Sequence, residues 1–594
     1  MDPETGLAQV LRSLQNILSS PGLAVSQYLV PSSEETTNDK FPVLPRDIPS
    51  VLPLTRLDQS LPHSSSQPPS GSNRQGGRVD DYGNDNDTPL LDRLSSHLAT
   101  SILPHLNLSS LSPNYYGFVT GGATPAGLLG DLLASVYDQN VQVHLPRETI
   151  ATTLEVTTLN LLVQLFRLPE AEWGIGRRGG GGGGRGGGGT FTTGATASNV
   201  LGLALGREFV LRKALQRRRG VSAEEDDGDA GSCGEHGVAE LMAQAGLRKI
   251  QILSTLPHSS IAKAASVVGI GRKNVISIST STSQGDGLQI DLARLAEEAA
   301  KPDVVNILAI SAGEVNTGRF ATDSRAQMLR LRRICGEFGI WIHVDGAFGL
   351  FGRVFSPDDH DRAEFEEMIR GVDGLELADS ITGDCHKLLN VPYDCGVFFT
   401  RHKRLSEDVF RNGNAAYLTS SMTSNTDADT DAVASGDVSD YDPSAIQSPL
   451  NIGIENSRRF RALPVYATLV AYGRPGYLDM LKRQIRLARR VSSWLLQDER
   501  FDLLPLPARA GGREKGEQET LARTFIVVLF RLKDEERMRD FVRRVNDTGK
   551  IYMTGTVWDS KPAARIAISN WKVDLERDGK LIEQVLDQVA GGQR

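Results

Sequence analysis

The chain has 594 residues, enough for two or three domains with a substantial core. Hydrophobic residues make up 39% and charged residues 23%, an ordinary balance for a globular protein. The net charge of −8 argues against a general nucleic-acid binder.

The opening Met1-Asp2-Pro3-Glu4 lacks the basic and apolar regions of a secretory signal. No apolar run approaches the roughly 18 residues that span a bilayer. Leucines and Ile17 at helical spacing predict a short amphipathic helix over 6–19. From Pro31 to about Asp87 the chain is Pro, Ser, Asn, Asp and Gly, a composition that buries too little surface to order itself. Pro89 to Leu106 reads as another helix. Tyr115 to Ala126 is a Gly-rich turn feeding a helix through Tyr137, and Val141 to Phe166 reads as a strand-like entry to a long helix carrying Glu155. Trp173 to Gly189 sets Arg177, Arg178 and Arg185 in near-continuous glycine, a flexible insertion with no Gly-Lys-Ser/Thr behind it. Thr190 to Asn199 then opens an apolar periodic segment through Leu215. Small residues at a helix start expose main-chain N–H groups and the positive end of the dipole, which suits a phosphate as well as a plain N-cap. Arg217 to Gly237 runs basic, acidic, then Gly-rich, as a solvated insertion does.

Strands are expected at Lys249–Ser254, at Val304–Ile310 and in the apolar run into Val344, with helices at Asp291–Ala300 and Asp323–Phe338 between them. This alternation is the signature of an α/β domain with a mainly parallel sheet. Asp345 falls at a strand's carboxyl end, where open α/β sheets bind ligands, although a turn cap before Gly346 would look the same. Ala378 to Gly396 is a polar run containing His386-Lys387, followed by the buried strand Val397–Thr400. A lysine there can lose hydration, and its neutral amine is then a nucleophile for an aldehyde, as in a Schiff base with pyridoxal phosphate. A carboxylate at Asp345 could hold the pyridine nitrogen protonated. An imidazole at His258, just beyond a strand end, could stack on such a ring. Thr419 to Pro443 is rich in Ser, Thr and Asp, as a mobile loop is. Beyond it come a helix over Tyr477–Gln497 and strands at Thr524–Leu529, Ile551–Val557 and Ala564–Ser569. Arg565 interrupts the last strand; its rigid fork suits a carboxylate, and a structural ion pair is the alternative. The cysteines Cys233, Cys335, Cys385 and Cys395 have neither metal-ligand nor disulfide-framework spacing, so a reducing, cytoplasmic setting and no metal site are expected.

With Lys387 and Asp345 placed, the chain from about Pro113 to Val573 resembles the group II pyridoxal-phosphate-dependent amino-acid decarboxylases of fold type I. It is most similar to their bacterial and fungal tyrosine-decarboxylase-like and diaminobutyrate-decarboxylase-like members. Ser457-Arg458-Arg459 closely matches a family motif. The resemblance implies that Lys387 carries the cofactor, Asp345 meets its ring nitrogen, His258 stacks on the ring, and Ala197 and Ser198 hold its phosphate. It places His386 near the phosphate or the substrate, makes Asp384 a cofactor contact where animal relatives often carry Asn, and puts Arg565 on the substrate carboxylate. Tyr417 falls about one residue from the expected place of the family's catalytic-loop tyrosine. Glu314 departs from the common Gly-Thr-Thr or Gly-Thr-Val, so Asn316 or Thr317 is left to supply any contact from that loop.

The expected division is residues 1–112 as N-terminal helices and linker, 113–448 as the large cofactor-binding domain, and 449–594 as a smaller α+β domain. Insertions at 173–189 and 217–237 and a mobile loop at 419–443 belong to the large domain. The expected activity is decarboxylation of an L-amino acid, aromatic ones favoured, to the amine and CO2 by a cytoplasmic homodimer, with no nucleic-acid or membrane partner. An aldehyde synthase or lyase on the same fold, and a catalytically inactive scaffold, stay open as alternatives.

Overall fold

The computed structural model describes residues 8, 10–12, 14–15, 87–107, 109–176, 186–220, 231–280, 287–412, 446, 448–508 and 512–591. Tyr417 and the loop at 419–443, the glycine run at 177–185 and the linker up to Asn86 lie outside the described residues.

Seven strands form the main sheet: β1 (Gly188–Thr192), β2 (Lys249–Ser254), β3 (Val275–Ser277), β4 (Val304–Ser311), β5 (Trp341–Asp345), β6 (Ser380–Asp384) and β7 (Gly396–Thr400). Their order is β1-β7-β6-β5-β4-β2-β3. The run from β3 to β6 is parallel, and β7 is antiparallel to both β6 and β1. The expected mainly parallel sheet is therefore present, and the carboxyl ends of β1, β2, β4, β5 and β6 share one edge. Every residue of β5 is buried, as befits a strand covered on both faces.

The helices used below are α1 (Asp87–His97), α2 (Pro125–Tyr137), α3 (Ala151–Leu165), α4 (Ala195–Arg219), α5 (Ser259–Val267), α6 (Arg325–Phe338), α7 (Cys385–Leu388), α8 (Ala462–Gln497), α9 (Glu535–Asn546) and α10 (Leu575–Gly591). Thr124 caps α2 by accepting from Gly127 N at 3.1 Å, with Pro125 in the first turn. Helix α4 lies across β4 to β7, so one face of the sheet packs on it and α5. The other face packs on α3, α6 and the start of α8. A second sheet of order β10-β11-β9-β8 forms the C-terminal unit with α9, α10 and the end of α8; its strands are β8 (Phe501–Leu504), β9 (Val527–Leu532), β10 (Thr554–Trp558) and β11 (Lys561–Ala567). α8 breaks at Gly473, whose φ of 55° a side chain would resist, two residues before Pro475.

Several boundaries differ from expectation. The stretch before α3 makes turns, not a strand. The glycine-rich insertion is narrower than 173–189, because Trp173 is fully buried and donates from Nε1 to Glu376 O at 3.3 Å, while Gly188 and Gly189 belong to β1. A Cβ on Gly189 would lie 2.8 Å from Ile175 Cδ1, so glycine there marks close packing rather than looseness. Arg217, Arg218 and Arg219 belong to the last turn of α4, where cations complement the helix dipole, instead of opening an insertion at 217–237.

Candidate active site

Asp345, Asp384, Lys387, His258 and the first turn of α4 lie at or just beyond strand ends of the main sheet. Asp345 ends β5 and is 7% exposed. Its Oδ2 accepts from Asn199 Nδ2 at 2.9 Å and its Oδ1 from Ala347 N at 3.3 Å. One strand over, β6 ends at Asp384 and turns into α7, which carries Lys387. Lys387 Nζ lies 2.9 Å from Asp384 Oδ2 and 5.8 Å from the Phe348 ring centre. Asp384 is buried, and its Oδ1 accepts from Ala195 N at 2.6 Å, so it bridges the lysine and the start of α4. Glycine at 194 and 396 lets β7 meet that turn; a Cβ on Gly396 would sit 2.5 Å from Gly194 Cα.

His258 lies beyond β2 and caps α5, its Nδ1 accepting from Ser260 N at 3.2 Å. Burial lowers its pKa, with Asp345, Lys387, Asp384 and Arg565 all within electrostatic reach. His386 donates from Nδ1 to Cys395 O at 2.9 Å and packs against Tyr393 at 4.6 Å. Burial lowers its pKa as well. In the first turn of α4, Ser198 is spoken for: its amide bonds to Gly194 O, and its hydroxyl lies 2.8 Å from Thr192 Oγ1 and donates to Val397 O at 3.2 Å. Thr196 and Ala197 remain as first-turn residues whose N–H groups have no carbonyl of the same helix to bond.

Arg565 arrives from β11 of the second sheet. Its Nε donates to Val315 O at 2.7 Å and its Nη1 to Phe118 O at 2.6 Å. Its buried Nη2 has no hydrogen-bond partner among the described residues. Burial pulls its pKa down to about 10 against the opposing influence of Glu314. Phe118 holds a left-handed backbone (φ 56°) and is 63% exposed, an uncommon conformation for a bulky residue. Glu314 spends its carboxylate on its own loop, accepting from Asn316 N, Asn316 Nδ2, Thr317 N and Thr317 Oγ1 between 2.8 and 3.2 Å. Neither Asn316 nor Thr317 is left open by this arrangement, and Asn316 Oδ1 also accepts from Thr556 Oγ1 of β10 at 2.9 Å.

Asn199, His343, Ser260 and Ser380 were not singled out from the sequence. His343 had a usable signal: it stands two residues before Asp345 on one strand, hence on the same face.

The residues present fit pyridoxal phosphate with an amino acid: an amine at Lys387, a carboxylate at Asp345, an imidazole at His258, and a buried N–H on Arg565 that has no partner among the described residues. This fold and site define a fold type I pyridoxal-phosphate enzyme. Residues 238–509 match the pyridoxal-dependent decarboxylase conserved domain, in line with the resemblance of the sequence to the group II decarboxylases. It is 23% identical over 511 residues to an aromatic-L-amino-acid decarboxylase of Catharanthus roseus, covering 84% of this chain and 85% of that protein. It is 24% identical to a phenylacetaldehyde synthase of Arabidopsis thaliana, covering 80% and 82%. The crystal structure of Oryza sativa TDC with PLP and tryptamine superposes with a TM-score of 0.67 at 20% identity, covering 99% and 98% of the two chains.

Proposed function

We propose that the chain decarboxylates an L-amino acid with an aromatic side chain, giving the amine and CO2. The observation that carries this is Arg565 Nη2, a buried cationic N–H with no acceptor among the described residues, within electrostatic reach of His258 as Lys387 and Asp345 are. A substrate carboxylate would satisfy it with a charge-assisted bond. Pyridoxal phosphate, when bound, supplies the sink for the electron pair left on the substrate α-carbon as CO2 departs. Lys387 would hold it through Nζ, giving up its pairing with Asp384. Asp345 would keep the ring nitrogen protonated, and His258 would cover the ring. Thr196 and Ala197 N–H groups would meet the phosphate. Tyr417 is assigned the proton that replaces CO2 on the α-carbon; this assignment rests on sequence alone.

A homodimer is part of the same reading. On α2, Leu128, Leu129, Leu132, Leu133 and Val136 are each between 39% and 59% exposed, an apolar stripe that a monomer leaves in water. A cytosolic location fits four buried, free cysteines.

The test is to supply purified protein with a panel of L-amino acids and measure CO2, amine and aldehyde. Amine and CO2 in equal amounts from aromatic substrates are expected. The similarity to a phenylacetaldehyde synthase favours one second reading, in which oxygen diverts the product. Aldehyde from the wild-type chain would establish that reading, and Tyr417→Phe should then leave the product unchanged. No CO2 from any amino acid would overturn both.

A further inference from the structure

Behind the ring-facing groups lies a buried hydrogen-bond network whose directions can all be worked out. Asn199, fully buried in the first turns of α4, joins three of its members. The Asp345 carboxylate only accepts, so the Asn199 atom 2.9 Å from Oδ2 is the amide nitrogen. The same nitrogen donates to Ser260 Oγ at 3.0 Å. Asn199 Oδ1 then faces His343 Nε2 at 2.9 Å, and this nitrogen must carry the ring proton. His343 Nδ1 is left to accept from Ser380 Oγ at 2.8 Å, while Ser380 Oγ accepts from Trp341 Nε1 at 3.1 Å. On the other branch, Ser260 Oγ receives the Asn199 N–H and turns its own hydrogen towards His258 Nδ1, 2.7 Å away. His258 is thereby neutral, with its proton on Nε2.

Two further observations show that the network is built in. A Cβ on Gly202, also on α4, would lie 2.3 Å from His343 Cε1, so only glycine leaves room for that ring. Burial also holds His343 neutral, its pKa pulled down to about 4 despite Asp345 nearby.

We infer that Asn199 is a positioning residue for both groups that face the cofactor ring: one amide hydrogen fixes the Asp345 carboxylate, and the other directs the Ser260 hydroxyl onto His258. This rests on the pyridoxal-phosphate reading above. A carboxylate free to rotate would offer the ring nitrogen a lone pair only part of the time. A Ser260 hydroxyl free to turn would accept from a protonated His258 as readily as it donates to a neutral one.

Two variants separate the branches. Asn199→Leu removes both donations at similar volume, and Ser260→Ala removes only the His258 branch. The holoenzyme is loaded with cofactor labelled with 15N at the ring nitrogen and carries 13C-histidine, with His258→Gln identifying the His258 signal. The charged groups facing His258, namely Asp345 on β5, Asp384 on β6, Lys387 on α7 and Arg565 on β11, stay intact in both variants. Asn199→Leu should move the ring-nitrogen resonance towards its unprotonated position and raise the His258 titration midpoint. It should also lower kcat by between about tenfold and a hundredfold, as misplacement of a reacting geometry does, with KM nearly unchanged. Ser260→Ala should raise the midpoint and leave the ring-nitrogen resonance in place. An unmoved resonance in Asn199→Leu, or a moved one in Ser260→Ala, overturns the inference. If Asn199→Leu does not fold, Asn199→Ala carries the same test, because it too has no side-chain hydrogen to donate to Asp345 or Ser260. Borohydride trapping of cofactor on Lys387 in the wild type checks the underlying reading separately: no trapping sinks that reading, while trapping with unmoved signals sinks Asn199 alone.

Discussion

Asp345 on β5 and Arg565 on β11 are buried almost equally, 7% and 5% exposed, yet their surroundings differ. Asp345 has both oxygens met by N–H donors, and behind it each polar atom as far as Trp341 has a partner. Arg565 has two of its N–H groups tied to main-chain carbonyls and Nη2 left over. A buried polar group without a partner costs roughly 1–3 kcal/mol. The saturated end is fixed before anything binds, and the unsaturated end holds back one bond for a ligand. A group that must offer one lone pair in one direction is locked; a group that must receive an anion is kept short of acceptors.

The largest expected effect removes the link between these two ends. Lys387→Ala should lower turnover on the order of a thousandfold or more, about 4 kcal/mol of barrier, and abolish borohydride trapping, read by steady-state kinetics and mass spectrometry. Next comes the cost of keeping the saturated end neutral at His343. Its pKa falls from 6.5 to about 4 on folding, so the unfolded chain takes up a proton that the native chain refuses. Stability from this group is complete above pH 6.5, falls as the pH drops towards about 4, and levels off below. That difference corresponds to about 3 kcal/mol at roughly 1.4 kcal/mol per pKa unit. His343→Gln can still donate to Asn199 and should flatten this limb in urea titrations between the two pH values; an unchanged limb would place the acid sensitivity elsewhere. Asp345→Asn should slow turnover by about tenfold or more, or roughly 1.4 kcal/mol, because a neutral amide cannot hold the ring nitrogen protonated. Full activity in that variant would reduce Asp345 to a turn residue. Arg565→Lys should raise KM by about tenfold and spare cofactor affinity, since an ammonium cannot reproduce the planar fork. A loss of cofactor affinity at constant KM would make Arg565 a structural residue and dissolve the contrast.

Lys387 and Asp345 stand out in the sequence by local pattern, a polar run before a buried strand and a strand end, while His258 and Arg565 needed the family resemblance to choose a ring-facing or carboxylate-binding role over a cap or an ion pair. The parallel sheet was legible for the same reason, through apolar runs alternating with amphipathic helices. What was not legible depends on contacts between distant positions. Asn199 meets Ser260 across 61 residues and Asp345 across 146. Nothing in the short run from Thr190 to Asn199 reveals those partners. β1 was missed because Gly188 and Gly189 extend a run of glycines that looks like a loop, although the packing of Ile175 and Phe398 requires Gly189 bare. The resemblance put Ser198 on the phosphate, whereas in the fold the approach of β7 turns its hydroxyl to Val397.

α8 contributes to both hydrophobic cores, with Val465, Leu469 and Ile485 in that of the main sheet and Leu487, Val491 and Leu495 in that of the second. Melting either sheet therefore strips apolar cover from a helix that the other still needs, so the two should lose structure in one calorimetric transition rather than two. The break at Gly473 falls within the main-sheet half of the helix, so the stretch from Tyr477 to Leu495 that joins the two cores is continuous. Arg565 is placed by the second sheet and Lys387 by the first, so the alignment of the catalytic parts and the cooperativity of unfolding depend on the same shared helix.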